Sequence, residues 1–273
     1  MSNALTNSQP TIGGRMKLRG IGYFMMLLLA LPLAATARKA LAGSAESSSA
    51  TILVYHRFGP TVADSMTVTT SVFASQLRYL HDHGYTIIPL RDVVNFAAGR
   101  GELPPRAVAI TADDGHRSVF SDMKPLVEQY RIPVTLFIYP SAISNASYAM
   151  TWEQLADLKA TGLFSIESHT YWHPNFHIDK RRLSPEEYRE FVDTQLTKSR
   201  DTLEHRLGIK VTMLSWPFGI YDDELIDAAT RSGYVAAVSI DRKRVHRGDN
   251  LMALPRFIVT NGDIGKRFEN LLP

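Results

Sequence analysis

The chain has 273 residues, 21% of them charged, with a formal net charge of +3 and no cysteine. That length, less a leader, is enough for one large α/β core and leaves little for a second domain. The small net charge and the lack of a long Lys/Arg run argue against nucleic acid as a partner. The missing thiols exclude disulfides, a thiolate nucleophile and a lipidated cysteine.

In chain order, Arg15, Lys17 and Arg19 precede an apolar run from Ile21 through Ala37, with small-residue cleavage candidates at Ala35-Thr36-Ala37 and Ala40-Leu41-Ala42. This pattern spells a secretory signal peptide, and the run is only slightly shorter than a membrane span, so an uncleaved anchor is the rival reading. Residues 1–42 are expected to be a signal peptide or N-terminal anchor, 43–50 a polar linker, and 51–273 a single folded domain. The protein is expected in the periplasm or at the cell surface, with N-terminal membrane association if the leader is retained.

The domain alternates strand and helix patterns. Strands are predicted over 51–56, 85–88, 107–112, 133–138, 163–167, 212–216, 234–240 and 256–260, and helices over 71–82, 90–98, 118–130, 151–160, 185–206 and 222–232. Phe73, Leu77 and Leu80 share one side of the first helix. Thr151 and Ser184 are candidate N-caps, followed by Glu153 in the first turn and by Glu187 at the capping-box spacing. Repeated strand–helix units with short connections imply a parallel sheet, and about seven or eight such strands can close into a barrel. Periodicity alone does not choose between a barrel and an open sheet.

Chemistry enters at Val108-Ala109-Ile110-Thr111-Ala112-Asp113-Asp114-Gly115, where an apolar, β-branched run ends in two carboxylates and a glycine. Ligand sites of α/β folds lie at the carboxyl ends of strands. Two like charges packed there are costly unless a cation or strong donors offset them. Downstream, Ile166-Glu167-Ser168-His169-Thr170-Tyr171-Trp172-His173-Pro174 holds two histidines, which one helical turn would bring to the same side. With one carboxylate of the Asp pair they make a two-histidine, one-carboxylate set with open positions for water and substrate. A surface Asp-Gly turn and solvated histidines are the bland alternative.

These segments resemble the polysaccharide deacetylases that share the NodB homology domain, carbohydrate esterase family 4. Thr111-Ala112-Asp113-Asp114-Gly115 matches the family's first motif with only a Phe changed, and His169 through Pro174 matches the second. The resemblance implies Asp113 as catalytic base and Asp114, His169 and His173 as metal ligands. Trp216-Pro217-Phe218-Gly219 resembles the third motif, which implies a backbone N–H near Phe218 as oxyanion donor. Two features depart from the family pattern. Ser215 stands where the third motif carries an arginine that orients the base, and Arg256 in Leu254-Pro255-Arg256 is a candidate substitute. The late histidine that supplies the general acid is also missing, but Thr51-Ile52-Leu53-Val54-Tyr55-His56 resembles the permuted arrangement of the poly-β-1,6-N-acetylglucosamine N-deacetylase branch, which assigns that role to His56. The implied fold is an irregular barrel of about seven or eight β/α units.

The implied activity is metal-dependent removal of N-acetyl groups from an exported β-linked N-acetylglucosamine polysaccharide. An acetylated glycan is the implied substrate, and exopolysaccharide export machinery a candidate partner. The cofactor is one divalent ion, Zn²⁺ by default for a hydrolase, with Co²⁺, Ni²⁺ and Mn²⁺ suited to the same mixed ligation. The alternatives are an O-acetyl esterase on another glycan and a glycan-binding protein with a degenerate site. Tyr55, Tyr139, Tyr171, Trp172 and Trp216 lie near strand ends as candidate sugar platforms, and Glu167 and Asp241 as candidate groups behind the site.

Overall fold

The computed structural model describes residues 49–273; the leader and most of the linker expected over 1–48 lie outside the described residues. The strands are β1 (Ser49–Tyr55), β2 (Arg57–Gly59), β3 (Thr67–Thr69), β4 (Thr86–Ile87), β5 (Ala107–Asp113), β6 (Val134–Ile138), β7 (Phe164–Ser168), β8 (Met213–Ser215), β9 (Ala236–Val238), β10 (Val245–His246) and β11 (Phe257–Ile258). The α-helices are α1 (Thr70–Asp82), α2 (Leu90–Ala97), α3 (Lys124–Tyr130), α4 (Trp152–Ala160), α5 (Phe176–Arg182), α6 (Pro185–Leu207), α7 (Asp223–Arg231) and α8 (Lys266–Glu269).

Strands β1, β5, β6, β7, β8 and β9 lie side by side in that order, all parallel. Beside β1, β10 pairs antiparallel with its first residues and β11 parallel with Leu53 and Val54. Leu254 bridges to Val238 of β9. The segment from Leu254 to Ile258 thus touches β9 at one end and β1 at the other, and the sheet curls as the expected irregular β/α barrel does. No helix among the described residues is long and apolar enough to cross a membrane.

The two faces of β5 explain the layers. Val108, Ile110 and Ala112 pack in the larger apolar cluster with helical residues such as Phe73, Leu77, Val127 and Leu196. Ala107 and Ala109 join the smaller cluster with Ile52, Phe137, Met213 and Ala236. Alternate strand positions face opposite ways, so Thr111 and Asp113 continue the face of Ala107 and Ala109. The alanines leave room there for larger groups, and Arg256, fully buried, lies with its guanidinium carbon 5.5 Å from the Phe137 ring centroid. Each Leu or Phe buried on the helix side contributes roughly 1.5–3 kcal/mol, and Phe73, Leu77 and Leu80 form the buried side of α1 as expected.

Helix ends follow local chemistry. Ser184 caps α6 through a capping box with Glu187, and Gly208 closes that helix in the left-handed region at φ 60°. Thr151 also forms a capping box, with Gln154 as the reciprocal partner. The helix expected over 118–130 is divided into a π-helical turn at Val119–Met123 and α3. Pro125, at the start of α3, has no N–H to donate to the preceding turn. The last strands are shorter than expected because tertiary bridges, rather than long ladders, close the sheet there.

Candidate active site

Asp113 is the final residue of β5, and the chain turns immediately after it, with Asp114 at φ 73° and Gly115 at φ 75°. A Cβ on Gly115 would lie 3.1 Å from side-chain atoms of both Ile138 and Ile143, so position 115 needs glycine for its backbone and for its neighbours. The turn separates the environments of two adjacent carboxylates. Asp113 is buried. It receives Arg256 Nη1 at 2.8 Å on Oδ1, and Arg256 Nη2 at 2.7 Å and Ser215 Oγ at 2.9 Å on Oδ2.

Arg256 is itself fixed by Nε donating to the Ser239 carbonyl at 2.9 Å and Nη1 to Thr111 Oγ1 at 3.1 Å. Two forked donors on one carboxylate form the strong geometry of an arginine–carboxylate pair. Burial alone pushes the Asp113 carboxyl upward, but the Arg256 charge and then His169 outweigh it and hold the group well below the usual carboxylate range. Arg256 therefore occupies the electrostatic place of the arginine absent at Ser215, and the serine adds a third donor.

His169 follows β7 and is buried. Its Nδ1 lies 2.7 Å from the Ser215 carbonyl oxygen, which makes Nδ1 the protonated nitrogen and leaves Nε2 as a lone-pair donor. The helical turn expected between His169 and His173 is not formed: Thr170 and His173 have φ of 63° and 59°, and the segment is an irregular loop. Thr170 Oγ1 accepts the His173 N–H at 3.2 Å, and buried Gln195 of α6 accepts the Trp172 N–H at 3.1 Å. The two rings still meet, with centroids 4.6 Å apart. Burial, reinforced by the neighbouring His169, holds the His173 imidazole well below its ordinary value.

Asp114, His169 and His173 each offer one ligand atom, all within 4.8 Å of one another. Asp114 Oδ1 is 3.7 Å from His169 Nε2 and 3.8 Å from His173 Nε2. Those separations are too long for hydrogen bonds and a few tenths of an ångström longer than the roughly 3.4 Å edge of a tetrahedron around an ion bonded at about 2.1 Å. A buried Nε2 lone pair, a second imidazole held neutral and a carboxylate fit a divalent cation by geometry and by donor chemistry.

The triad opens on a cavity of about 410 Å³ that His56, Arg57, Asp113, Tyr139, Trp216 and Phe218 also line. His56 follows β1; burial lowers its pKa against the opposing pull of Asp113 and Asp114, and its Nδ1 is buried without a hydrogen-bond partner. Phe218 sits at φ 56° and is 55% exposed, its ring centroid 4.6 Å from that of His173. A Cβ on the adjoining Gly219 would meet Ile240 Cγ1 at 2.4 Å. The turn carrying Phe218 can approach the Ile240 wall only because of that glycine.

All six expected site residues, His56, Asp113, Asp114, His169, His173 and Phe218, thus line one cavity. Of the aromatic candidates, Tyr139 and Trp216 line it, whereas Tyr55 is core, packed against Phe58 and Phe73. Trp172 is 48% exposed and packs beside Phe191, and Tyr171 lies under Lys198. Glu167 is a strap between strands, accepting the Thr212 and Met213 N–H groups at 2.8 Å each. Asp241 accepts the Tyr221 and Ser239 hydroxyls. Arg57 and Ile240 are lining residues that motif reading did not single out; only the adjacency of Arg57 to His56 hinted at it.

A family model described as polysaccharide deacetylase matches residues 100–237. The chain is 24% identical over 241 residues to the poly-β-1,6-N-acetyl-D-glucosamine N-deacetylase of Staphylococcus epidermidis, covering 79% of this chain and 81% of the relative. Among solved structures, the Streptococcus pyogenes deacetylase PplD in complex with acetate has a TM-score of 0.73 at 21% identity, covering 83% of this chain and 99% of that one. IcaB from Ammonifex degensii has a TM-score of 0.71 at 25% identity, covering 79% and 93%. His56 and Arg256 fall outside the span of the family match, and the curled sheet brings His56 to the cavity edge and Arg256 to Asp113. The matched span contains the Asp pair and both histidines and exceeds half the chain; the chain belongs to the polysaccharide deacetylase family.

Proposed function

We propose that this chain is a divalent-metal-dependent N-deacetylase acting on an exported β-linked N-acetylglucosamine polymer. The observation that carries the reading is one cavity holding the Asp114–His169–His173 triad beside a second carboxylate, Asp113, which hydrogen bonds keep ionised. A divalent cation in the triad, zinc by default, would supply Lewis acidity toward water and toward an acetyl carbonyl. Asp113 accepts the proton of a water that attacks the carbonyl carbon. The backbone N–H near Phe218 serves the developing charge on the carbonyl oxygen. His56 donates a proton to the amide nitrogen as its bond to carbon breaks, so that amine and acetate leave. Exchange with solvent returns Asp113 and His56 to their starting states.

Acetate release from β-1,6-linked N-acetylglucosamine oligomers, its loss on chelation and its return with Zn²⁺ are the expected results. Full activity after thorough metal removal would sink the mechanism. Parallel O-acetylated oligosaccharides separate this reading from an acetyl esterase. The joint grip of Ser215 and Arg256 on Asp113 supports turnover over a glycan-binding protein with a degenerate site; binding of intact oligomer without acetate release would favour the binding protein. We also propose, from the leader pattern, that residues 1–42 direct export and that 51–273 form the catalytic domain. The N-terminus of the protein recovered from periplasmic and membrane fractions tests cleavage against anchoring.

A further inference from the structure

We propose that a second hollow beside the triad is a subsite for the sugar unit next to the one being hydrolysed, and that it favours an acetylated neighbour over one already bearing a free amine. The proposal rests on the glycan deacetylase reading above and adds residues that choose among positions on the glycan. The hollow, about 290 Å³, is lined by Arg57, Asp114, His116, Tyr139 and Tyr148. Arg57, Asp114 and Tyr139 also line the triad cavity, so linked sugars can pass from one hollow into the other along a shared wall.

Tyr148 supplies a ring surface. It is 42% exposed, yet it is held in place: its hydroxyl lies 2.6 Å from that of Tyr139, and its ring is within 10° of parallel to the His116 imidazole. Its carbonyl accepts the Arg117 N–H at 2.8 Å, Met150 N–H donates to the Gly115 carbonyl at 3.0 Å, and His116 bridges to Ala149. The ring is therefore fastened to the same turn that presents Asp114. An exposed aromatic face already immobilised loses little freedom when a pyranose stacks on it.

Beside the two tyrosine hydroxyls and the Asp114 carboxylate, the hollow presents the donors of Arg57 and His116. Ser118 Oγ accepts the Phe58 N–H at 2.8 Å and lies 2.8 Å from His116 Nδ1, which also accepts the Ser118 N–H at 3.2 Å. His116 Nδ1 is thus an acceptor, and the ring carries its proton on Nε2. Arg57 pairs through Nη1 with Asp64 and its side chain is part-exposed, while its Nε is buried with no partner, so what it offers a ligand lies at the guanidinium end rather than at Nε. Asp64 is already engaged by the Met66 N–H and the Thr67 hydroxyl, and Asp114 belongs to the triad. Arg117, next to His116 in the chain and bonded to the Ser147 carbonyl, adds positive charge behind the hollow. An acetamido carbonyl matches these donors. The ammonium of a deacetylated unit brings only further donors and a like charge to Arg57. Each turnover would then make the adjacent position a poorer substrate, and deacetylation would be scattered along the polymer rather than clustered.

The test uses the zinc-loaded full chain and two β-1,6-linked glucosamine tetramers that differ only in whether the unit beside the target carries an acetyl group or a free amine. Acetate release gives kcat/KM for each, and mass spectrometry identifies the unit cleaved. The wild type should prefer the acetylated neighbour by about tenfold, and Tyr148→Ala and Arg57→Gln should each narrow the ratio to about threefold or less. The ratio is independent of how much of a variant is folded. Equal rates on both tetramers in the wild type, or an unchanged ratio in both variants, overturns the subsite alone. No acetate from either tetramer overturns the deacetylase reading and this proposal with it.

Discussion

At the residue scale, the adjacent carboxylates Asp113 and Asp114 are separated in environment by one left-handed turn. Asp113 is bound to donors of Arg256 and Ser215, whereas Asp114 faces two imidazoles. Asp114→Asn should lose metal affinity because it removes a ligand charge, as metal content after dialysis will report. Asp113→Asn should retain the metal and lose turnover by about 10²–10⁴-fold, the usual span of general-base catalysis. Equal metal loss in both variants would show that Asp113 is also a ligand. Arg256→Met leaves a buried carboxylate without its counter-charge, and removing one partner of such a pair costs about 3–5 kcal/mol. Burial then acts on Asp113 with less opposition, so its pKa rises and the acidic limb of the pH–rate profile moves to higher pH. An unmoved limb would separate Arg256 from the ionisation of the base.

At the element scale, β7 and β8 share little ladder, a single registered pair between Ser168 and Leu214. Glu167 ties them by accepting two N–H groups at the start of the β8 segment. Burial pushes its carboxyl up to about 7 from 4.5, with the Met213 and Thr212 N–H bonds opposing the rise. Between those values the folded state holds a proton that the unfolded chain has released. The contribution of Glu167 to stability is therefore full below pH 4.5 and is lost as pH rises through about 7. Glu167→Gln keeps a carbonyl acceptor and cannot ionise, so its urea stability relative to the wild type should improve between pH 5 and pH 8, by on the order of 2–3 kcal/mol. A difference that is the same at both pH values would contradict this assignment.

For the whole molecule, the triad draws on two separate connections of the barrel, after β5 and after β7. A cation bound there holds those connections together in the folded state only. Zinc at about 100 times its dissociation constant should stabilise the chain by about 2.7 kcal/mol, and chelation should reverse this. Thermal melts with graded zinc measure the effect, and Asp114→Asn should abolish the dependence. A zinc response undiminished in that variant would place the ion elsewhere.

The alternation of β5, the N-cap at Thr151, the capping box at Ser184, the apolar side of α1 and the two short motifs that hold Asp113-Asp114 and His169 with His173 are legible in the linear chain. Each depends on spacing over a few residues, where backbone periodicity and local hydrogen bonds govern. The loop that joins His169 to His173 is not legible as a helical turn or otherwise. Between its left-handed residues, Thr170 and His173, the Trp172 N–H is held by Gln195, a side chain from a different element. The replacement for the missing arginine is likewise a matter of closure: Arg256 and Asp113 are 143 residues apart and meet because Leu254 and Phe257 join the two ends of a curled sheet. By itself the sequence determined which chemical groups stand at strand ends, because that information is local. Only the tertiary structure decided which carboxylate takes which partner, because a buried charge is settled by whatever counter-charge the fold brings within hydrogen-bond reach.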